Sequence, residues 1–208
     1  MNEGPRGAGA QAAWWRRGGR AWLAVALLLA LGSAIAHIAS PAALAAVDWQ
    51  PGLAFAEPWR AVSAAFVHYS DLHLLGNAAG LALAAAYGVA ARVPPRLALA
   101  WLVAWPLTQF GLLAQPALVH YGGLSGVVHA GVAIVTLYVI LVGHWRIGGT
   151  VLAMLFVKLA TESPFGAPLR HEAGWDIALA PLAHVTGVAA GLLCCAVAET
   201  VARRWATD

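Results

Sequence analysis

Charge is scarce in this 208-residue chain: Asp, Glu, Lys and Arg make up 10% of it, against 61% hydrophobic residues. That excludes a water-soluble domain, which needs a polar surface, and the chain reads as an all-α, polytopic membrane protein. Cysteine is nearly absent. Cys194 and Cys195 are adjacent within an apolar run, which excludes a disulfide framework and a metal-ligand spacing; both read as small apolar filler. No metal and no cofactor is assigned. The 12 basic and nine acidic side chains leave a formal charge of +3, and in such a chain their placement speaks of topology rather than of nucleic acid.

What the chain does have is a series of apolar runs. Residues 1–19, rich in Gly, Ala and Arg without apolar periodicity, read as a disordered cytoplasmic tail. A membrane domain over 20–202 follows, with spans at about 21–39, 66–91, 97–113, 125–142, 149–161 and 177–201, and 203–208 read as a second cytoplasmic tail. The first run could pass for a signal peptide, with Ala34-Ile35-Ala36 near its end, but the chain goes on to cross the membrane repeatedly. Between 40 and 65, Pro41, Asp48, Gln50, Pro51, Glu57, Pro58 and Arg60 alternate with Trp49, Phe55 and Trp59, the mark of a loop lying in the interface. Pro106 predicts a kink, and the run 149–161 is short for a hydrocarbon core about 30 Å thick.

Six spans put both termini on one side of the membrane. Arg6, Arg16, Arg17, Arg20, Arg92, Arg96, Arg146, Arg203 and Arg204 share that side, and only Arg60 and Arg170 fall on the other. The terminal side is therefore cytoplasmic, and the loops before Ser125 and around His171 face outward.

One stretch stands apart. Gly122-Gly123-Leu124-Ser125-Gly126-Val127-Val128-His129 sets a serine between glycines where a loop gives way to an apolar run. Alone, it reads as a helix cap. Other polar residues share its outward level: His73 and Asn77, at i and i+4 on one helix face, and His184, about 10 Å inside the last span. Ionisable groups at such depth are costly and face a cavity or one another. Together they hold the parts of acyl transfer: a serine nucleophile, a histidine base, and donors for an oxyanion from the Ser125 amide, Asn77 and His73. No acid suggests itself as a third member, so the economical unit is a Ser125–His184 dyad. Small residues at Gly187 and Gly191, on the face of His184, let the last span approach the Gly126 face of the fourth.

These residues resemble the rhomboid family of intramembrane serine proteases over about 57–191. Trp59-Arg60 resembles its first-loop Trp-Arg; His68, His73 and Asn77 match H-x-x-x-x-H-x-x-x-N; Gly123 to Gly126 match G-x-S-G; and Ala183 to Gly191 match A-H-x-x-G-x-x-x-G. The resemblance implies a six-transmembrane-helix bundle around a water-filled cavity, with Ser125 as nucleophile, His184 as base, and His73 and Asn77 around the oxyanion. It also implies a scissile bond in or near a substrate's transmembrane segment. Glu57-Pro58-Trp59-Arg60, His129 and Lys158-Leu159-Ala160-Thr161-Glu162 look like the rhombosortase branch. That branch implies a bacterial inner-membrane enzyme acting on transmembrane proteins that end in GlyGly-CTERM-like tails. The alternatives are a general rhomboid without tail preference and a silent protein that binds transmembrane segments; a small transporter is opposed by the lack of an inverted repeat.

His129 replaces the tyrosine that many rhomboids carry four residues after the serine; it reads as orienting His184 or, alternatively, as a proton-transfer group. His68, Gly123, Gly126 and Gly187 are expected to support the site. Lys158 and Glu162, at i and i+4, read as an intrahelical ion pair or as a contact for the substrate tail. His37, His120, His144 and His171 are assigned no chemistry, and the loop 163–176 is a candidate cap over the cavity.

Overall fold

The computed structural model describes residues 18–38 and 41–205. The helices are α1 (Arg20–His37), α2 (Pro41–Val47), α3 (Arg60–Ser63), α4 (Asp71–Ala90), α5 (Pro95–Gly111), α6 (Ser125–Leu141), α7 (Trp145–Thr161) and α8 (Pro181–Arg204). A two-stranded antiparallel ribbon, β1 (Arg170–His171) and β2 (Ala178–Leu179), stands between α7 and α8. Arg20–His37, Asp71–Ala90, Pro95–Ala114 and Pro181–Arg204 are long and apolar enough to cross a membrane, and Ser125–Leu141 is apolar but shorter. The expected tail 1–19 lies outside the described residues except for Gly18 and Gly19, and 206–208 lie outside them too.

The six long helices alternate in direction. At one end Gly19 N–H donates to the Val93 carbonyl at 3.0 Å, and Arg96 makes a two-point pair with Glu199 at 2.9 and 3.0 Å. At the other, His37 Nε2 meets Asp71 Oδ1 at 2.7 Å. The arginines flanking the helices gather at the first end, and Ser125, His73, Glu162 and His184 at the second.

α6 is the most enclosed helix, packed by α4, α5, α7 and α8. Two tryptophans lock it in. Trp22 of α1 stacks on Trp101 of α5 with ring centroids 4.1 Å apart. Each indole N–H finds a carbonyl, Trp22 that of Ala84 at 3.0 Å and Trp101 that of Val127 at 2.8 Å, so neither ring is buried with an unmet donor. Against α8 the contact is backbone on backbone: a Cβ on Gly187 would stand 2.0 Å from the Gly126 oxygen, and one on Gly191 2.3 Å from the Ala130 oxygen.

Several element limits differ from the sequence reading. α4 begins at Asp71 rather than near Phe66, because Ser70 caps it by accepting the His73 N–H at 3.0 Å. His68 therefore lies in the loop ahead of the helix. Trp145 and Arg146, outside the expected span 149–161, form the first turn of α7. Ile177 to Ala180, read as helix from their apolarity, are not helical: Ala178 and Leu179 form the second strand of the ribbon and Ala180 caps α8, which starts at Pro181, whose ring suits a helical first turn. His184 thus sits in the first turn of α8, not about two turns inside it. Arg203 and Arg204, assigned to the second tail, are the last residues of α8.

Candidate active site

The loop leading to Ser125 is strapped to the first loop. Trp49 and Tyr121 exchange both backbone hydrogen bonds, at 2.7 and 2.9 Å, and Gly123 N–H donates to the Ala64 carbonyl at 2.9 Å. Under this strap lies Asp48, 1% exposed. It pairs with Arg60, meets His120 Nδ1 at 2.8 Å and accepts from the Tyr69 hydroxyl at 3.1 Å. Arg60 is itself buried and donates through Nε to Glu57 and through one terminal nitrogen to the carbonyls of Ala45 and Asp48. A buried ion network of this kind holds geometry, since losing one member strands the others.

Gly123 has φ +131°, a conformation few side chains adopt, and a Cβ there would stand 2.7 Å from His73 Nε2 and 3.5 Å from Asn77 Nδ2. Glycine therefore lets the serine loop lie directly against the two polar residues of α4. Beyond it, a cavity of about 650 Å³ is lined by Ser125, His129, His184, His73, Asn77 and Glu162, with Tyr121, His120, Lys158 and Trp175 among its other walls. His68 stands behind this wall, its ring centroid 4.9 Å from that of His73 and its Nδ1 3.1 Å from the Phe66 carbonyl. Asn77 Nδ2 and His73 Nδ1 are buried and have no hydrogen-bond partner among the described residues. The Asn77 amide nitrogen is a donor, and the His73 nitrogen is one in the tautomer that protonates Nδ1; such groups on residues that line a cavity are suited to a substrate oxygen.

His129 links the two helices that meet here. Its Nδ1 lies 2.6 Å from the Ser125 carbonyl one turn back, and its ring stacks on His184 at 4.3 Å with the planes 18° apart. On the other side of His184, Nδ1 is 2.7 Å from Glu162 Oε2 and 3.4 Å from Lys158 Nζ, while Lys158 and Glu162 pair with each other. Burial alone would raise the Glu162 carboxyl, but the hydrogen bonds and charges of His184 and Lys158 outweigh it and hold it down at about 2. Burial pushes the Tyr121 phenol up to about 12, opposed by hydrogen bonding with the Ser125 side chain and the Gly126 backbone.

The loop over the cavity is fastened at both ends. Arg170 donates to the Glu162 carbonyl at 2.7 Å, and Ser70 Oγ donates to Asp176 Oδ1 at 2.7 Å. Trp175 lies on α4 where Gly76 leaves room: a Cβ there would meet the indole at 2.4 Å. Among the described residues no group of three or more His, Cys, Asp or Glu side chains is placed to hold a metal.

A family model described as the rhomboid domain matches residues 56–199, well over half of the chain. The chain belongs to the rhomboid family. Rhomboid proteins are generally intramembrane serine proteases, and with its apolar helices this rhomboid chain has the features of a multi-pass membrane protein. A search of curated proteins gave no match. The matched segment takes in Glu57 and Arg60 of the first-loop network, the residues that line the cavity and α8 nearly to its end, and it leaves α1, α2 and Asp48 outside.

Of the residues singled out in the sequence, Ser125, His184, His73, Asn77 and His129 share the cavity. His68, Gly123, Gly126 and Gly187 pack behind it. Glu162 and Tyr121 were missed as neighbours of the two central groups. Lys158 and Glu162 looked self-sufficient as an i, i+4 pair, and the contact to His184 spans 22 positions with no periodic trace. Tyr121 immediately precedes the glycines, and only the β-bridge to Trp49 turns it toward Ser125.

Proposed function

We propose that this rhomboid is a serine endopeptidase that cuts at or near the transmembrane segment of membrane-anchored substrates. Ser125 is the nucleophile and His184 its base, with the Ser125 amide, Asn77 and His73 around the oxyanion. The observation that carries this reading is the single cavity lined by Ser125, His184, His73 and Asn77, in which the Asn77 amide keeps an unmet donor. All six long helices cross the membrane, both termini are cytoplasmic, and the cavity opens on the opposite side, where few arginines lie.

The depth of the reaction follows from helix length. α6 has 17 residues and is about 25 Å long at 1.5 Å per residue, less than a hydrocarbon core of about 30 Å. Its Ser125 end stops short of the outer surface, and the cavity occupies the difference. Water enters there, and a substrate helix is met at the level where its backbone leaves the bilayer.

Within the family the chain acts as a rhombosortase, in a bacterial inner membrane, on substrates that end in GlyGly-CTERM-like tails. The first-loop Glu57-Pro58-Trp59-Arg60, His129, and the Lys158 to Glu162 stretch support that branch. The test is co-expression with a tailed substrate and with the same substrate whose glycine pair is replaced. Ser125→Ala and His184→Ala should each stop cleavage while the protein remains folded. Normal processing by either variant refutes the dyad; equal cleavage of both substrates assigns the chain to general rhomboids; binding without cleavage by the unaltered protein makes it a silent binder.

A further inference from the structure

We infer that Glu162 is a positioning residue that holds the proton of His184 on Nδ1, so that the reacting unit is Ser125, His184 and Glu162 rather than a dyad. The inference rests on the protease reading above and deepens it.

Two groups compete for His184 Nδ1, and they demand opposite tautomers. An ionised carboxylate can only accept, so Glu162 Oε2 at 2.7 Å requires Nδ1 to carry hydrogen and leaves Nε2 with its lone pair free. An ammonium can only donate, so Lys158 Nζ, at 3.4 Å from the same atom, would put the hydrogen on Nε2 and disable the base. The shorter contact lies in the range of charge-assisted hydrogen bonds, and the ammonium is drawn aside onto the other oxygen, Glu162 Oε1. Lys158 thereby fixes Glu162 instead of His184. The third face of the ring is taken by stacked His129, whose Nδ1 is engaged with the Ser125 carbonyl.

Helix stability does not account for a glutamate here. Glu162 is the C-cap of α7, where the helix dipole disfavours an acid. Its backbone is also held independently of its side chain, by the Arg170 guanidinium on its carbonyl. The side chain reaches from that clamped position to a histidine on another helix, an arrangement with a use in acyl transfer. As Ser125 Oγ forms its bond to the scissile carbonyl carbon, its proton passes to His184 Nε2, and Glu162 faces the resulting imidazolium. The same proton then goes to the amide nitrogen as the carbon–nitrogen bond breaks. Water repeats the sequence on the acyl-enzyme and returns the proton to Ser125.

The test uses the full chain in detergent and the rate at which a fluorophosphonate probe labels Ser125. Glu162→Ala should slow labelling about a hundredfold, the scale of lost general-base function, by lowering the limiting rate rather than probe saturation. Glu162→Asp should recover part of it. Removing the competing donor as well, in Glu162→Ala with Lys158→Ala, should be faster than Glu162→Ala alone, a reversal that a scaffold role does not produce. Should Glu162→Ala unfold early on heating, Glu162→Leu, which fills the space without an acceptor, carries the same comparison, with and without Lys158→Ala. Labelling of either single variant at the unaltered rate, or a double variant no faster than its single parent, overturns the assignment of Glu162. Failure of the unaltered protein to label, or labelling of Ser125→Ala, refutes instead the protease reading on which it rests.

Discussion

Replacing Gly187 with alanine sets a methyl carbon 2.0 Å from the Gly126 oxygen, 2.8 Å from its carbonyl carbon and 3.2 Å from its Cα. Carbon–oxygen contacts close to about 3.3 Å, so α6 and α8 must part by about 1.3 Å at that level. Neither neighbour can yield by turning a side chain, because the obstructing atoms are backbone. Overpacking of this order costs about 1–3 kcal/mol, which a bundle of six packed helices survives. The chemistry suffers more. Gly126 follows Ser125 directly and Gly187 lies one turn beyond His184, so the displacement falls between the proposed nucleophile and base, where about 1 Å of misplacement costs about a hundredfold in rate. The assay is the rate of fluorophosphonate labelling at Ser125, with thermal unfolding followed in the same detergent. Gly149→Ala is the control: that glycine lies inside α7 with nothing within 4 Å of an added Cβ, and alanine there gains helix propensity. Gly187→Ala should label about a hundredfold more slowly with a modest fall in melting temperature, and Gly149→Ala at the unaltered rate. Equal labelling by Gly187→Ala and the unaltered protein would refute the reasoning that this backbone contact sets the distance between Ser125 and His184.

Asn77→Ala removes the unmet cavity donor and should lower kcat for a tailed substrate by about 10²–10³ with little change in KM; a rise in KM alone would place Asn77 in substrate binding instead. Asp48→Ala takes from Arg60, His120 and Tyr69 the acceptor they share, and should destabilise the fold by about 3–5 kcal/mol, read as an early unfolding transition. An unchanged melting temperature would show that Arg60 is satisfied by Glu57 and the loop carbonyls alone. His129→Phe keeps a ring over His184 but loses the bond to the Ser125 carbonyl, whereas His129→Ala loses both; faster labelling by the phenylalanine variant is expected, and equal loss in both would assign the effect to the hydrogen bond.

Much of the fold was legible because membrane insertion is decided locally. A run of apolar residues and the arginines at its ends report its environment without reference to any other run, so the helical class and the alternation of helices could be read in order along the chain. The boundaries were less legible where local apolarity and tertiary pairing disagree. Ile177 to Ala180 are as apolar as a helix start, and it is the pairing with Arg170 and His171 that draws Ala178 and Leu179 into a strand.

The candidate site divides along the same line. Ser125 between glycines, the His73 and Asn77 pair, and the His184 and Gly187 pair are all short-range patterns, and each could be singled out by spacing alone. Glu162 could not. By sequence it has a complete partner in Lys158 one turn away, and nothing in an i, i+4 ion pair says that the carboxylate's second oxygen faces a histidine on another helix. The chain by itself determined which residues stand out as candidates for chemistry and near which helix ends they lie, because charge, apolarity and helical period are properties of neighbours. Only the tertiary structure decided which acid meets His184, since a hydrogen bond is made only at about 3 Å, and helix packing alone brings residues that far apart in sequence to such a distance.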